Sequence, residues 1–383
     1  MQKTIQILGS TGSIGSNAMN VILQHTDKFQ IKTITANTNV KKLAEQAIEF
    51  LTENVIISDI DKYDELRNLL KNTKIKVHAG QGALLDLAGE DYDITIVGIT
   101  GIAALPIIEK AIIGSKVIGL ANKESIVCAG DIILNMARQY NTKIIPLDSE
   151  HNAIFQSLDE EGKLENIDQI TLTASGGPFL NTPIEKMKYI ASEEAVKHPK
   201  WKMGKKISVD CSNMMNKGLE VIEACKLFSL PPEKISVVVH PESIIHGMVS
   251  YADGSNIAQL SVPDMRTPIS LALNYPKRIK FNYKPLNLAD IGKLNFFSPD
   301  YKRFPLLKIA IDALKEGNNA LIALNIANEV AVDAFLNNRI GYMDIEKIIK
   351  LTLENLLNAK INNIEDVLDY NNKVFDYVKN LIS

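Results

Sequence analysis

The first part of the chain alternates short apolar runs with longer amphipathic stretches. The apolar runs are rich in Val, Ile and Thr on both faces, as in parallel strands that are covered by helices on each side. We therefore predict strands at residues 5–9, 31–36, 54–58, 75–79, 94–99, 117–121 and 143–147. Helical periodicity lies between them, most clearly at residues 43–51, 63–71 and 126–140. Repeated strand–helix units predict a doubly wound, Rossmann-like parallel sheet in an α/β fold.

The pattern changes after residue 150. A short helix, a strand and a polar segment, predicted at residues 151–158, 169–174 and 181–206, lead to a long helix at 212–228. Strands at residues 237–240, 247–250 and 257–262 predict a second, mixed sheet with a hairpin turn at 252–255, and a helix at 267–273 follows. The stretch at 277–300 has the Pro, Asn and Lys content of a linker, and the tail is helical at 305–315, 320–336, 344–357 and 364–382.

Composition narrows the classes of function. Lys and Arg number 42 against 45 acids, so the net charge of −3 provides no basic field for nucleic acid. Cys128, Cys211 and Cys225 lack paired spacing, which argues against disulfides or a zinc site and fits a reducing compartment. The N-terminus does not have the pattern of a signal or transit peptide, and no apolar run approaches the ~20 residues that span a bilayer. We expect a cytoplasmic protein without a membrane partner.

Two acids follow the last strand predicted for the first sheet. Asp148 and Glu150 are two residues apart, so in extended chain they point to the same face. Carboxylates on one face repel each other unless a cation lies between them, and oxygen ligands suit Mg²⁺ or Mn²⁺. A pair of solvated loop acids is the alternative. The position favours a ligand site, because doubly wound sheets bind ligands outside the carboxyl ends of their strands.

A glycine-rich turn joins the first strand to a helix. It reads Gly9-Ser10-Thr11-Gly12-Ser13-Ile14-Gly15. Glycines let backbone N–H groups approach a pyrophosphate at the helix N-terminus, so the turn predicts dinucleotide binding, with a purely structural turn as the alternative. The second strand ends in Asn37-Thr38-Asn39 without the acid that binds the ribose hydroxyls of NAD, which favours NADP(H). The same stretch has no Arg or Lys, and Lys41 and Lys42 are the nearest cations.

Two more strand ends carry polar residues. After the sixth strand, Lys123 can meet an anion or a substrate oxygen and Asn122 can fix the nicotinamide side. A surface loop with Glu124 at a helix start is the alternative. Ser175 lies in a small-residue turn, where its hydroxyl and the adjacent N–H groups can bind an oxyanion, although such a turn alone is more often structural.

The long predicted helix carries three polar residues on one face. Asn216 and Lys217 lie four and three residues before Glu220, so an amide, an ammonium and a carboxylate are neighbours. Ser212 is the expected N-cap, which leaves the N–H groups of the first turn facing an anion. An exposed Lys–Glu pair of little energetic value is the alternative. Gly218 argues against it, because glycine costs ~1 kcal/mol relative to alanine in a helix and a close ligand or backbone approach would explain it.

Two further features complete the candidate site. Glu220 is the expected third carboxylate for the cation, which leaves open positions for catalysis. His198, Trp201 and Gly204 lie in the polar segment before the long helix. A lone histidine is more often structural, but this combination suggests a lid that closes over the substrate. His240 and His246 flank strands and are expected to be structural.

Eight segments, taken in order, give the chain a specific resemblance over nearly its whole length. It is similar to the 1-deoxy-D-xylulose 5-phosphate reductoisomerase family through GSTGSIG, ANKES, PLDSEHNAIFQ, TASGGPF, HPKWKMGKKISVD, MMNKGLE, VVVHPESIIHGMV and VPDMRTPISLALNYP. The resemblance implies conversion of 1-deoxy-D-xylulose 5-phosphate to 2-C-methyl-D-erythritol 4-phosphate by retro-aldol/aldol rearrangement and NADPH hydride transfer, in non-mevalonate isoprenoid synthesis. It implies a homodimer with an NADPH-binding domain at residues 1–149, a catalytic domain at 150–275, a linker at 276–300 and a helical domain at 301–383.

The resemblance also assigns site residues. It implies that Asp148, Glu150 and Glu220 hold Mg²⁺ or Mn²⁺, and that Lys123 and His198 complete the catalytic set. The implied substrate-binding residues are Lys123, Ser149, Glu150, Ser175, His198, Trp201, Cys211, Ser212, Asn216, Lys217 and Glu220. The implied cofactor-binding residues are Thr11, Gly12, Ser13, Ile14, Asn37, Asn39, Asn122, Glu124 and Gly204.

Two departures from the family pattern bear on affinity. Cys211 stands where the family usually has serine, and a thiol is a poorer donor, so phosphate affinity falls or Ser212 substitutes. Asn37-Thr38-Asn39 stands where the family usually reads Gly-Lys-Asn or Gly-Arg-Asn, which removes the cation expected on the 2′-phosphate of the cofactor. The preference for NADPH over NADH is therefore less secure than usual.

Two other classes of protein are alternatives. A semialdehyde dehydrogenase needs a thiolate with a nearby histidine base, and Cys211 in a phosphate-binding context fits that role poorly. A cofactor-sensing regulator with a helical oligomerisation tail leaves the three carboxylates and the phosphate helix without a purpose.

Overall fold

The structure is a computed structural model that describes residues 2–158, 164–201, 203–355 and 358–382. Lys202 in the predicted lid and residues 356–357 in a predicted tail helix lie outside the described residues. The chain divides into two compact units. Unit 1 comprises Met1–Ser125, Ile133–Asn152 and Asp264–Tyr283, and unit 2 comprises Ile126–Ile132, Ala153–Pro263 and Lys284–Ser383. The four functional domains given above stay a prediction.

The strands and helices are numbered in chain order. The strands are β1 Lys3–Leu8, β2 Phe29–Ala36, β3 Asn54–Ile57, β4 Lys76–Ala79, β5 Tyr92–Val97, β6 Ser115–Leu120, β7 Lys143–Pro146, β8 Ile167–Ala174, β9 Ile235–Val239, β10 Ile245–Tyr251 and β11 Asn256–Leu260. The helices are α1 Ser13–Leu23, α2 Val40–Phe50, α3 Tyr63–Leu70, α4 Gly80–Ala88, α5 Leu105–Gly114, α6 Lys123–Gln139, α7 Ser149–Ser157, α8 Ile184–Met187, α9 Ser192–Ala195, α10 Lys205–Ser212, α11 Met215–Leu227, α12 Arg266–Asn274, α13 Leu288–Ile291, α14 Pro305–Glu316, α15 Asn318–Leu336, α16 Asp344–Glu354 and α17 Ile364–Ile382.

Unit 1 is built on a fully parallel sheet of seven strands in the order β4-β3-β2-β1-β5-β6-β7. Ile5 of β1 pairs with Ile31 on one side and with Ile94 on the other, and all three are buried. The strand order reverses between β1 and β5, and doubly wound sheets bind ligands at this switch point. The predicted Rossmann-like sheet is confirmed, because the buried β-branched runs are the strands.

Unit 2 contains a mixed sheet of four strands in the order β11-β10-β8-β9. Strand β10 is antiparallel to β8 and β11, while β9 is parallel to β8. The predicted hairpin turn is confirmed, since the Tyr251 amide donates to the Ser255 carbonyl across it at 2.9 Å. Val221 and Ala224 of α11 pack in one core cluster with Leu172 of the sheet. Helix α11 is therefore an interior helix, and its polar residues need partners inside the protein.

The long helix predicted at residues 212–228 corresponds to α11, and a separate helix, α10, comes directly before it. Helix α10 ends at Ser212 and α11 begins at Met215, while Met214 between them has a left-handed φ of 63°. The Asn213 side chain stabilises this break by accepting from the Met215 amide at 2.9 Å. The predicted cap at Ser212 is therefore wrong, because that residue closes the preceding helix.

The predicted linker contains local structure. Helix α13 forms within it, and Phe297 makes a single β-bridge with Val239. Within the described residues, the helix at Asn318–Leu336 passes the length and hydropathy test for a membrane span, in contrast to the expectation that no run comes close. In that helix 72% of the apolar window is buried inside the protein, as in the core helix of a helical domain.

Candidate active site

The acid pair lies in the turn between β7 and α7. Asp148 precedes the helix and Glu150 is in its first turn, so the expectation of extended chain at this pair is wrong. The Asn152 side chain holds the turn by donating to the Pro146 carbonyl at 2.8 Å, and the Asn152 amide donates to the Asp148 carbonyl at 2.8 Å. The Ser149 hydroxyl donates to Glu150 Oε2 at 2.6 Å. Both carboxylates are thus fixed at the carboxyl edge of the sheet.

Lys123 lies beside this pair because its strand is the neighbour of β7. Leu120 of β6 pairs with Pro146 of β7, so the two strands end side by side. The Lys123 ammonium is 2.8 Å from Asp148 Oδ2, with side-chain exposures of 9% and 19%. The fully buried His151 places Nδ1 3.8 Å from the same oxygen. An ammonium in contact with a carboxylate at a partly buried edge stabilises the charged forms of both groups.

The residues around Lys123 are buried, so the surface-loop alternative is wrong. Asn122, Lys123 and Glu124 are 1%, 7% and 8% exposed. The Asn122 side chain accepts from the Ser125 amide at 2.7 Å and donates to the Ile99 and Gly101 carbonyls at 2.9 Å. This side chain fixes the loops that follow two neighbouring strands. Its direct contact with a cofactor stays a prediction.

The glycine turn after β1 has the geometry of a dinucleotide cradle. Gly9 has a φ of +85°, and a Cβ at Gly15 would lie 2.4 Å from the Ser10 Cα. No other residue type fits these two positions without movement of the backbone. Helix α1 begins at Ser13 with Gly12 as N-cap, and among the described residues no side chain caps it. The first-turn N–H groups therefore suit a pyrophosphate at the switch point.

The residues that follow β2 are exposed, and one of them caps the next helix. Asn37, Thr38 and Asn39 are exposed, and Asn39 Oδ1 caps α2 by accepting from the Lys42 amide at 3.3 Å. Lys42 also reaches the glycine turn, where Nζ donates to the Thr11 carbonyl at 2.9 Å. The sequence gives little signal for this contact, because 31 residues separate the two.

In unit 2 a second cluster forms around Ser175. The Ser175 hydroxyl is 2.9 Å from His198 Nε2 and accepts from the Gly177 amide at 3.2 Å. His198 Nδ1 accepts from the amides of Lys200 and Trp201, so in the neutral ring Nε2 carries the proton and donates to Ser175. The Ser175 hydroxyl proton is then available for an anion. Trp201 is half-buried, and its ring meets that of His246 edge to face with 6.2 Å between the ring centroids.

The same cluster borders Cys211 and an open cleft. A Cβ at Gly177 would lie 2.7 Å from the Cys211 carbonyl, so the glycine turn rests directly on the end of α10. A cleft of about 620 Å³ extends from Ser175 and is lined also by Lys186, Lys200 and Glu242. Gly204 is the exposed N-cap of α10, and its predicted contact with the cofactor is untested.

Helix α11 holds the predicted polar triad in one buried contact. Asn216 Nδ2 and Lys217 Nζ both donate to the Glu220 carboxylate, and the three residues are 8%, 3% and 0% exposed. The alternative of an exposed pair is therefore wrong. Gly218 faces α14, because a Cβ there would lie 2.5 Å from the Ala310 Cβ. The Leu306 carbonyl oxygen and the Leu307 Cα of α14 also lie 3.5 and 3.7 Å from that position, so of the two expected causes the backbone approach is confirmed.

Two of the cysteines and Ser212 lie in the protein interior. Cys128 and Cys225 are buried, and burial raises the pKa of the Cys225 thiol to about 12. Ser212 is fully buried, and its hydroxyl donates to the Val209 carbonyl at 2.7 Å and lies 3.1 Å from the Tyr342 hydroxyl. Tyr342 was not expected in this region, since the sequence places it far away in the tail.

These observations describe a protein of the dinucleotide-binding α/β class whose second unit carries a buried, charged side-chain cluster. Models of one family match the chain in three parts. They are described as 1-deoxy-D-xylulose 5-phosphate reductoisomerase at residues 5–130, its C-terminal domain at 144–228, and a DXP reductoisomerase C-terminal domain at 260–376. The chain belongs to the 1-deoxy-D-xylulose 5-phosphate reductoisomerase family.

Individual relatives match the chain over nearly its whole length. The enzyme of that name from Ehrlichia ruminantium (strain Welgevonden) is 47% identical over 371 residues, 96% of this chain and 95% of the relative. The one from Prosthecochloris aestuarii is 47% identical over 353 residues, 92% of each chain. A solved structure from Zymomonas mobilis in complex with NADPH has a TM-score of 0.95 and 40% identity, and covers 100% of both chains.

A second solved reductoisomerase, in complex with NADPH, fosmidomycin and magnesium, has a TM-score of 0.94 at 40% identity, covering 100% of this chain and 98% of that one. The predicted family, fold class, NADPH- and metal-dependent enzyme class and cofactors are thereby confirmed. Family membership decides against both the thiol-dependent dehydrogenase and the regulator.

Proposed function

We propose that this chain converts 1-deoxy-D-xylulose 5-phosphate to 2-C-methyl-D-erythritol 4-phosphate in the synthesis of isoprenoid precursors. The observation that carries the proposal is the family match, which spans 96% of the chain. The buried Asn216–Lys217–Glu220 contact supports it. A buried, hydrogen-bonded charge cluster is costly to form, so it indicates a site for a charged ligand.

We assign the divalent cation to Asp148, Glu150 and Glu220. Their carboxylate oxygens are the ligands that Mg²⁺ and Mn²⁺ prefer, and the donor set therefore fits the ion. Glu220 is fully buried, and Asn216 and Lys217 of its own helix both donate hydrogen bonds to its carboxylate. When bound, the cation supplies Lewis-acid polarisation of a substrate carbonyl and hydroxyl, and NADPH supplies the hydride.

We assign substrate recognition to residues that present hydrogen-bond donors. Ser175, Asn216 and Lys217 bind the phosphate together with Cys211, in each case through an N–H, O–H or S–H group. His198 positions the Ser175 hydroxyl through their 2.9 Å contact. Ser149 and Lys123 orient the substrate hydroxyls from the sheet edge, where Lys123 can also hold or release a proton.

The segment that carries His198 and Trp201 acts as a lid. Its His198 contacts Ser175 and its Trp201 contacts His246, so both side chains already have partners in unit 2. Closing the segment over the substrate excludes water and brings donors to the phosphate. Ser212 does not belong to this set in our proposal, because its hydroxyl is bonded within the core.

We assign the NADPH pyrophosphate to the backbone of Thr11, Gly12, Ser13 and Ile14, at the open start of α1. Asn37, Asn39, Asn122, Glu124 and Gly204 are the further cofactor contacts proposed from the family pattern. The glycine cradle supports the first group, because any Cβ at Gly15 would fill it.

The replacement of Glu220 by Gln tests the metal assignment. We expect loss of turnover and of Mn²⁺ binding, with the NADPH dissociation constant nearly unchanged, because the change removes an anion from unit 2 only. Glu233→Gln removes one charge from the same unit outside the cluster and is the control. Wild-type activity in Glu220→Gln would remove this residue from the site.

The assembly and location of the enzyme are also proposals. The family resemblance favours a homodimer, and three cysteines that form no disulfide in the described structure favour the reducing cytoplasm. Light scattering of the purified protein at twice the mass of the 42.4 kDa chain would support the dimer, and fractionation would test the location.

A further inference from the structure

The ammonium of Lys42 contacts the glycine turn, although Asn37-Thr38-Asn39 at the end of β2 contains no Lys or Arg. Lys42 lies in the first turn of α2, and its Nζ donates to the Thr11 carbonyl at 2.9 Å and to the Ser16 hydroxyl at 2.7 Å. Thr11 belongs to the turn, and Ser16 belongs to the first turn of α1. The ammonium therefore lies beside the residues that hold the pyrophosphate in the proposed function, and the helix that follows β2 supplies it.

The position of Lys42 is fixed by its helix. Val40 and Leu43 are 3% and 0% exposed, so the first turn of α2 is anchored in the core of unit 1. Asn39 caps that turn through the Lys42 amide. A lysine on a fixed helical turn loses less freedom when it binds an anion than one on a loose loop.

The charge of Lys42 is not balanced by an acid. Its two partners are a carbonyl and a hydroxyl, which are neutral. Within the part of the chain that the structure describes, no carboxylate oxygen lies within 4.0 Å of its ammonium. An ammonium has three donors, so one remains for a further acceptor. A phosphate dianion next to the ribose of the cofactor would supply the negatively charged partner that this ammonium does not have among the described residues.

We propose that Lys42 recognises the 2′-phosphate of NADPH and sets the preference for NADPH over NADH in this chain. It takes the role of the cation that is missing from Asn37-Thr38-Asn39. The inference rests on the proposed use of the glycine turn for the cofactor. A charge-assisted hydrogen bond to phosphate acts only on the phosphorylated cofactor, whereas the rest of the turn binds both cofactors alike.

The test is the binding of four probes to wild type, Lys42→Met and Lys41→Met. Lys41 is exposed on the same helical turn, so its variant removes the same charge without the contact to the turn. Calorimetry gives dissociation constants for NADPH, NADH, 2′,5′-ADP and 5′-AMP. We expect Lys42→Met to weaken NADPH and 2′,5′-ADP about tenfold to a hundredfold and the other two less than about threefold. Lys41→Met should leave the ratios unchanged, and Lys42→Arg should keep most of the preference.

The outcomes separate the inference from the function on which it rests. If Lys42→Met weakens all four probes equally, Lys42 only ties α2 to the turn, and the inference is wrong. It is also wrong if wild type and Lys42→Met prefer 2′,5′-ADP over 5′-AMP to the same degree. If wild type does not distinguish these two probes, the NADPH assignment itself fails. Circular dichroism of each variant shows whether the fold is retained.

Discussion

Gly218 gives the sharpest test of how α11 is held. In Gly218→Ala the new Cβ would lie 2.5 Å from the Ala310 Cβ, whereas carbon atoms in contact lie about 3.5–4.0 Å apart. Helix α14 must shift by about an ångström, and overpacking of this kind costs about 1–3 kcal/mol. Alanine regains ~1 kcal/mol of helix propensity. We therefore expect a net loss of about 1 kcal/mol in the free energy of unfolding.

The compensating change is Ala310→Gly, which removes the opposing methyl group. Alone it should destabilise the protein by at least ~1 kcal/mol, because glycine is a poor helix former and Ala310 is fully buried. In the double variant the methyl group moves from one helix to the other, so the clash disappears. We expect a favourable coupling energy of about 1–3 kcal/mol between the two changes.

Urea unfolding followed by circular dichroism measures all four members of this cycle. Substrate KM provides a second measurement, because Asn216 and Lys217, the proposed phosphate-binding residues, directly precede Gly218 in α11 and should move with it. KM should rise in Gly218→Ala and recover in the double variant. Strictly additive unfolding energies, or a Gly218→Ala protein stabilised by the full helix propensity, would refute the packing argument.

Two further predictions follow. Cys211→Ser should lower the substrate KM about threefold to tenfold, since a hydroxyl is a better hydrogen-bond donor to phosphate than a thiol. Ser212→Ala should leave KM unchanged and lower the free energy of unfolding by about 1 kcal/mol, because buried hydrogen bonds are lost. Equal effects of the two variants on KM would contradict the assignment of Cys211, and not Ser212, to the phosphate. Burial opposes ionisation of Asp264, but Arg266 donates to both of its carboxylate oxygens, and this contact prevails and lowers the pKa of the carboxyl. The contribution of this carboxylate to the free energy of unfolding is present above its unfolded pKa of about 3.9 and is lost as pH falls through the lower folded pKa. Asp264→Asn should therefore make stability fall less steeply at acid pH. An unchanged acid dependence would show that the Asp264–Arg266 pair contributes nothing.

Much of the fold follows from local pattern. The strands of unit 1 are apolar on both faces, and the tail helices repeat their apolar residues every three or four positions, so both could be located within a few residues. The break at Met214 could not, because a left-handed φ at a methionine has no sequence signal. Ser212 was therefore assigned to the wrong helix.

The site was predictable where chemistry and spacing coincide. Asn216, Lys217 and Glu220 lie within one helical turn, so their contact follows from the sequence alone. The contacts of Lys42 with Thr11 and of Gly218 with Ala310 depend on chain segments that only the tertiary structure brings together. The sequence shows the cation near the end of β2 and the glycine within a helix, but it does not show which residues they contact.

The pairing of Glu220 with Lys217 has a consequence for handling the enzyme. In the proposed metal site, withdrawal of the divalent ion would not leave a lone negative charge inside unit 2, because Lys217 on the same helix compensates the buried Glu220. A chelator should therefore abolish the activity of the protein without unfolding it, in contrast to its effect on domains whose folding depends on their metal. Activity should then return when the ion is restored, with no refolding step in between.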